Sequence, residues 1–192
     1  TIKFANAGDL TIQSTGSISA SKSLTISNSG SVEQSGNISG LTVLINPKGA
    51  ISLQPGSQTS AIAKGSLSLR PMGALTVSGN LSAPLLVLKP ATDLTIDSSA
   101  SISTPVFPTL NPAGNLTVNA QIQSKVLNFS SGKQMMIGPT ATLTGSTSVT
   151  LSSAGDMHIA GNVTAPTISL RSTKAAVFLD NAVQLNSTGK TT

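Results

Sequence analysis

Asp156 and His158 lie in the stretch SSAGDMHIAGNVTAP (152–166) and are the residues that most invite a chemical reading. A carboxylate two positions from the chain's only histidine, with Ser152 and Ser153 close by, could supply a catalytic relay or part of a metal site. The rest of the sequence gives such a site little support. The six acids are dispersed and there is no cysteine, so neither a cluster of metal ligands nor a Ser-His-Asp arrangement takes shape. Asp93 and Asp97 flank one apolar segment, but no aromatic sugar platform accompanies them as a polysaccharide-cleaving pair would need. Calcium takes about six to eight oxygens, and isolated aspartates outside any G-G-x-G-x-D repeat do not provide them. The expectation is a chain that is not an enzyme and carries no cofactor or metal.

The elements that hold these residues follow from composition and period. The 192 residues contain no Trp, Tyr or Cys and only four Phe, and 9% are charged, against an ordinary ~25%. More than a quarter are Ser or Thr. Ile, Val and Leu are spread evenly, which disfavours disorder and favours many short strands. The net charge of +5 comes from scattered basic residues without a basic run or interleaved aromatics, which argues against a nucleic-acid groove. No apolar run approaches the roughly 18 residues of a membrane span, and no signal peptide is present, so membrane insertion is not expected. The first residues, TIKF, already read as a strand, so the chain is expected to be a piece of a longer secreted protein.

Aligning the sequence on itself exposes three recurring series. The first comprises GDLTI (8–12), GSV (30–32), GAISL (49–53), GALTV (73–77), TDLTI (92–96), GNLTV (114–118), KQMMI (133–137), GDMHI (155–159) and AAVFL (175–179). Their last apolar residues are Ile12, Val32, Leu53, Val77, Ile96, Val118, Ile137, Ile159 and Leu179. The second series places one inward residue between polar ones: Ile18, Ile38, Ile62, Leu81, Ile102, Ile122, Leu143, Val163 and Val183. The third precedes the first and runs TIKF, SLTI, TVLI, SLSL, LLVL, VLNF, SVTL and TISL, broken only by TPVFPTLNP (104–112). Short alternating strands at a period of roughly 20–21 residues predict an all-β parallel β-helix, a β-solenoid of about nine coils with three strands per coil. A single coil cannot bury its apolar face, but stacked coils line identical aliphatics one strand spacing apart. The chain is expected to form one such segment over 1–192, about 40 Å long at ~4.8 Å per coil. An irregular proline-rich coil is expected at 104–113.

This frame demotes the opening pair. His158 takes the outward middle position of the first series, equivalent to Thr11, Ser31, Ser52, Thr76, Thr95, Thr117, Met136 and Phe178. Asp156 falls at a corner held elsewhere by Asp9, Asp93 and Asn115, where a short polar side chain can bond local backbone. Toward the C-terminus the outward ladder changes from Thr and Ser to Met136, His158 and Phe178, an apolar patch that is a candidate receptor or ligand contact. Leu44 and Val87 also fall outward on the third series. Pro105, Phe107 and Pro108 make the irregular coil a second candidate contact, because proline cannot donate to a ladder and displaced loops often carry binding. Six N-x-S/T sequons, at Asn37, Asn80, Asn115, Asn128, Asn162 and Asn186, follow from the repeated corner itself. The outward positions mix Thr, Ser, Lys, Asn and apolar residues and form no regular array of the kind that binds ice.

The repeat SVTLSSAGDMHIAGNVTAPTISL (148–170) resembles those of the filamentous haemagglutinin family, the large exoproteins of two-partner secretion. LINPKGAISL (44–53) and LNPAGNLTV (110–118) are similar to the Asn-Pro turns of that family's secretion domain, although Lys48 and Ala113 stand where a second Asn is usual. The resemblance implies a right-handed helix and a shaft segment of a secreted, cell-surface adhesin or contact-dependent inhibitor of a Gram-negative bacterium. It implies an outer-membrane transporter as the partner in export, and a host or neighbouring-cell receptor or glycan as a contact. Open strand edges at the solenoid ends add end-to-end self-association of the segment. Structural shaft, receptor- or glycan-binding module and, least favoured, a polysaccharide-active enzyme are the three functional classes carried forward.

Overall fold

The computed structural model describes residues 1–28, 30–187 and 189. Among them there is no helix, and every strand pairing is parallel. The expected β-solenoid is the fold: successive coils stack so that each strand pairs with its counterpart one coil later. The chain forms two compact units, Thr1–Asp93 with Ser99–Pro105, and Leu94–Ser98 with Val106–Thr192.

The first series of the sequence becomes a face of three-residue strands. In the first unit these are Leu10–Ile12, Val32–Gln34, Ile51–Leu53 and Leu75–Val77. In the second they are Leu94–Ile96, Leu116–Val118, Met135–Ile137, Met157–Ile159 and Val177–Leu179. The outer two residues of each strand point inward and the middle one outward, because the pleat alternates. One coil departs from the expected alignment. Leu10 pairs with Val32 and Ile12 with Gln34, so the column of last inward residues runs Ile12, Gln34, Leu53. The outward residue of that coil is Glu33, and Ser31 is a corner residue.

The second and third series fuse. Ser17–Ile26, Asn37–Ile45 and Gln58–Leu69 in the first unit are continuous bent strands, as are Gln121–Ser131 and Thr142–Ser153 in the second. A register shift marks the bend: Ala20 and Ser23 frame it opposite Gly40 and Thr42, and Ser124 and Val126 frame it opposite Gly145 and Ser148. Elsewhere the two parts separate, as Asn80–Ser82 and Leu85–Leu88, or Asn162–Ala165 and Thr167–Ser172.

Along the bent strands the columns Ile26, Ile45, Leu69, Leu88 and Phe129, Leu151, Leu170 form as the periodicity predicts. The second series needs two corrections. The residue paired with both Ile38 and Leu81 is Thr59, whereas Ile62 lies in the bend and is 52% exposed. Val163 pairs with Leu185, and Val183 belongs to a turn in which its N–H donates to the Asp180 carbonyl.

Thr59 sits in an apolar column because Gln34 faces it from the neighbouring coil. The Thr59 hydroxyl donates to Gln34 Oε1 at 3.0 Å. Gln34 Nε2 donates to the carbonyls of Gly36 and Gln58, each at 3.0 Å. Both side chains are buried with these hydrogen bonds made, which is the condition for a polar group to sit in a core. The corners are tight. At Gln54–Ser57 the Ser57 N–H donates to the Gln54 carbonyl and Gly56 takes φ +84°, a left-handed conformation suited to glycine.

Candidate functional site

Asp156 has a structural use. Its Oδ1 accepts the backbone N–H of Ala176, one coil later, at 3.3 Å. The same corner repeats the device: Asp9 Oδ1 accepts from Ser31 N–H at 2.6 Å, Ser31 Oγ from Ala50 N–H at 3.1 Å, and Asn115 Oδ1 from Gln134 N–H at 3.2 Å. These N–H groups fall where the chain turns between strands and the ladder gives them no carbonyl, so the side chain of the preceding coil completes the ladder. The bond therefore reaches the next coil's backbone, where a bond to local backbone was expected. Asn162 does likewise at another corner, accepting from Gln184 N–H at 3.3 Å.

The ladder Met136–His158–Phe178 forms in the expected register, on adjacent parallel strands. The His158 and Phe178 rings stack with centroids 4.6 Å apart and planes 15° from parallel. Met136 is 49% exposed although strands pair on both sides of it, so its exposure comes from pointing outward. Phe178 is 46% exposed, and its inward neighbours Val177 and Leu179 are exposed as well, because no described coil stacks on theirs.

Two hollows flank this ladder. One, of about 150 Å³, is lined by Asn115, Thr117, Gln134, Met136 and His158 with strand backbone beneath. The other, of about 330 Å³, has Met136, Pro139 and Ala160 as apolar walls and Gln134, His158 and Asp180 as polar ones. The second opens because Gly138 and Ala160, which follow the strands Met135–Ile137 and Met157–Ile159, are small while Asp180 follows the next strand. The ladder residues were legible from the repeat. Gln134, Pro139 and Asp180 were not singled out, and their signal would have been the small residues at 138 and 160 beside longer ones.

The proline-bearing coil does not present all three of its candidate residues. Phe107 is 7% exposed and packs against Phe129, with ring centroids 5.8 Å apart at 52°. Its N–H donates to Ser124 Oγ at 3.4 Å. The ring fills core space in a coil that lacks a regular third strand, so Phe107 is a packing residue. Leu110 keeps one bridge to Phe129 and is fully buried, holding its column where the prolines interrupt pairing. Pro105 is exposed and Pro108 half-buried, and neither belongs to the Met136 ladder. Leu44 and Val87 are both half-buried.

Among the described residues no three His, Cys, Asp or Glu side chains cluster as a metal site. None of the described residues forms a helix long and apolar enough to cross a membrane. No family model matches the chain, and neither a curated protein nor a solved structure matches it.

Proposed function

We propose that this chain is a shaft segment of a large secreted bacterial surface protein of the two-partner kind, a stack of coils that holds a binding or toxic domain away from the cell. The observation that carries this reading is where its polar side chains are engaged. Asp9, Ser31, Asn115, Asp156 and Asn162 all bond the backbone of the next coil. The buried Gln34 does the same through the carbonyl of Gln58. Residue types that elsewhere do chemistry are here used to fasten one coil to another. Interactions between nearest neighbours let a solenoid fold coil by coil as chain emerges, which suits export through an outer-membrane transporter.

The second reading is a receptor- or glycan-binding module, favoured by the exposed ladder of Met136, His158 and Phe178 beside its two hollows. Binding of the folded chain to a glycan array and to host and sister bacterial cells separates the two. A shaft shows no saturable binding, and a His158→Ser, Phe178→Ser double variant behaves like the parent. Saturable binding that this variant loses would replace the shaft by a recognition segment.

A further inference from the structure

We infer that one side of the first unit is a docking surface for an anionic lipid membrane, on which the chain lies without crossing it. The basic residues look scattered in the sequence, and the fold sorts them. Lys3 stands in the outward column Lys3, Thr25, Leu44, Ser68, Val87 of the third series. Arg70 and Lys89 follow the strands Gln58–Leu69 and Leu85–Leu88, two residues beyond Ser68 and Val87, and Arg70 Nε donates to Ser68 Oγ at 2.8 Å. Lys22 and Lys64 lie at bends, between Ala20 and Ser23 and between Ala61 and Ser66. All five are exposed. The acids of this unit, Asp9, Glu33 and Asp93, belong instead to the three-residue strands or the corners leading into them, and of the basic residues only Lys48 joins them there. Among the described residues of the unit, the basic side therefore carries no carboxylate.

Aliphatic side chains stand among these charges. Leu41, Ile62 and Leu85 occupy or border the bend on three consecutive coils and are 38%, 52% and 59% exposed. Coils stack ~4.8 Å apart, so the three make a ridge. Pro84 is exposed beside Leu85, and Leu44 and Val87 are half-buried in the column of Lys3. An exposed apolar patch of this kind marks a contact surface, and the charges around it select an anionic partner. A dissolved polyanion would use the cations alone and leave the ridge in water. The boundary between lipid headgroups and acyl chains takes both: aliphatic side chains enter by about 5–10 Å while lysine and arginine heads stay with the phosphates. The inference concerns the first unit alone and holds whether or not the chain serves as a shaft.

The experiment mixes the intact chain with vesicles of phosphatidylglycerol and phosphatidylcholine in equal parts, or of phosphatidylcholine alone, and separates bound from free chain by flotation. The chain has no cysteine, so an environment-sensitive dye on Ile62→Cys reports insertion, and one on Thr11→Cys, in the strand Leu10–Ile12, is the control. The expected result is saturable binding to the anionic vesicles only, weakened by added salt, with a blue shift of the dye at 62 and none at 11. Lys22→Gln, Lys64→Gln and Lys89→Gln together should weaken binding about 100-fold, at roughly fivefold per charge. Ile62→Ser with Leu85→Ser should weaken it by about tenfold or more, with unchanged thermal melting, while Glu33→Gln binds as the parent does. Four outcomes overturn the inference. They are equal binding to both kinds of vesicle, undiminished affinity in either multiple variant, a response of the dye at 11 in place of the dye at 62, or binding of dextran sulfate as tight as that of vesicles and indifferent to the serine substitutions.

Discussion

Replacing Thr59 by Val tests the idea that the solenoid core admits polar groups only as bonded pairs. Val keeps the shape of Thr and exchanges its hydroxyl for a methyl, so the column of Ile38, Thr59 and Leu81 becomes wholly apolar. The hydroxyl is the donor to Gln34 Oε1 at 3.0 Å, and both residues are buried. Stranding a buried acceptor costs about 1–3 kcal/mol. The added methyl returns about 0.8 kcal/mol of apolar burial. The difference leaves Thr59→Val destabilised by roughly 0.2–2.2 kcal/mol, although the substitution makes the core more hydrophobic. Gln34→Leu alone should also destabilise, since it leaves the Thr59 hydroxyl buried without its acceptor and removes the donor to the Gln58 carbonyl. The double variant should recover the share of both losses that comes from the broken Thr59–Gln34 bond, because replacing both partners by apolar groups can be nearly neutral, while the Gly36 and Gln58 carbonyls still lack their Gln34 donor. A stacked array need not unfold in one step, so the suitable observable is local. Native-state hydrogen exchange of amides in Val32–Gln34 and Gln58–Leu69 reports the opening free energy there. Thr59→Val as protected as the parent, or a double variant whose losses simply add, would refute the reasoning.

Phe107→Ala should lower the stability of the second unit by about 3 kcal/mol, read as an earlier thermal transition. Pro105→Ala, at an exposed position that ends the first unit, should change stability by less than about 0.5 kcal/mol, and a larger loss there than at Phe107 would show the proline-bearing coil to be organised otherwise. Asp156→Ala should accelerate exchange of the Ala176 amide and cost about 0.5–1 kcal/mol. Asp156→Asn, which keeps the accepting oxygen, should restore protection, and an Ala176 amide indifferent to both would deny the corner bond.

The fold was legible because inward positions such as Leu94, Leu116, Met135 and Met157 carry similar side chains at a steady interval. The register of Met136, His158 and Phe178 followed by counting. The errors came from one assumption, that a core column is apolar throughout. Searching for aliphatics selected Ile62 over Thr59 and aligned Val32 two residues away from its true column, because the residue that belongs beside Ile12 is Gln34. Nothing in a local window shows that Gln34 and Thr59, far apart in sequence, satisfy each other. Phe107 was misjudged for a related reason. Its neighbouring prolines signal a loop, and the vacancy its ring fills belongs to another coil, that of Phe129. The larger hollow beside His158 depends on what is missing at Gly138 and Ala160, and small residues attract little notice in a search for chemistry.

The bend of Gln58–Leu69 has a consequence for how such a chain can change. Residues 62–65 stand there opposite Leu41 alone, yet Gly40 still pairs with Ala61 and Thr42 with Ser66. Extra length enters at the corner and leaves the flanking columns in place, with Ile62 swung out into solvent. A corner that absorbs length in this way is a natural graft point. Longer peptides, an epitope or a small domain could be spliced between Ala61 and Ser66, and neighbouring coils offer matching attachment points at Leu41 and between Ser82 and Leu85.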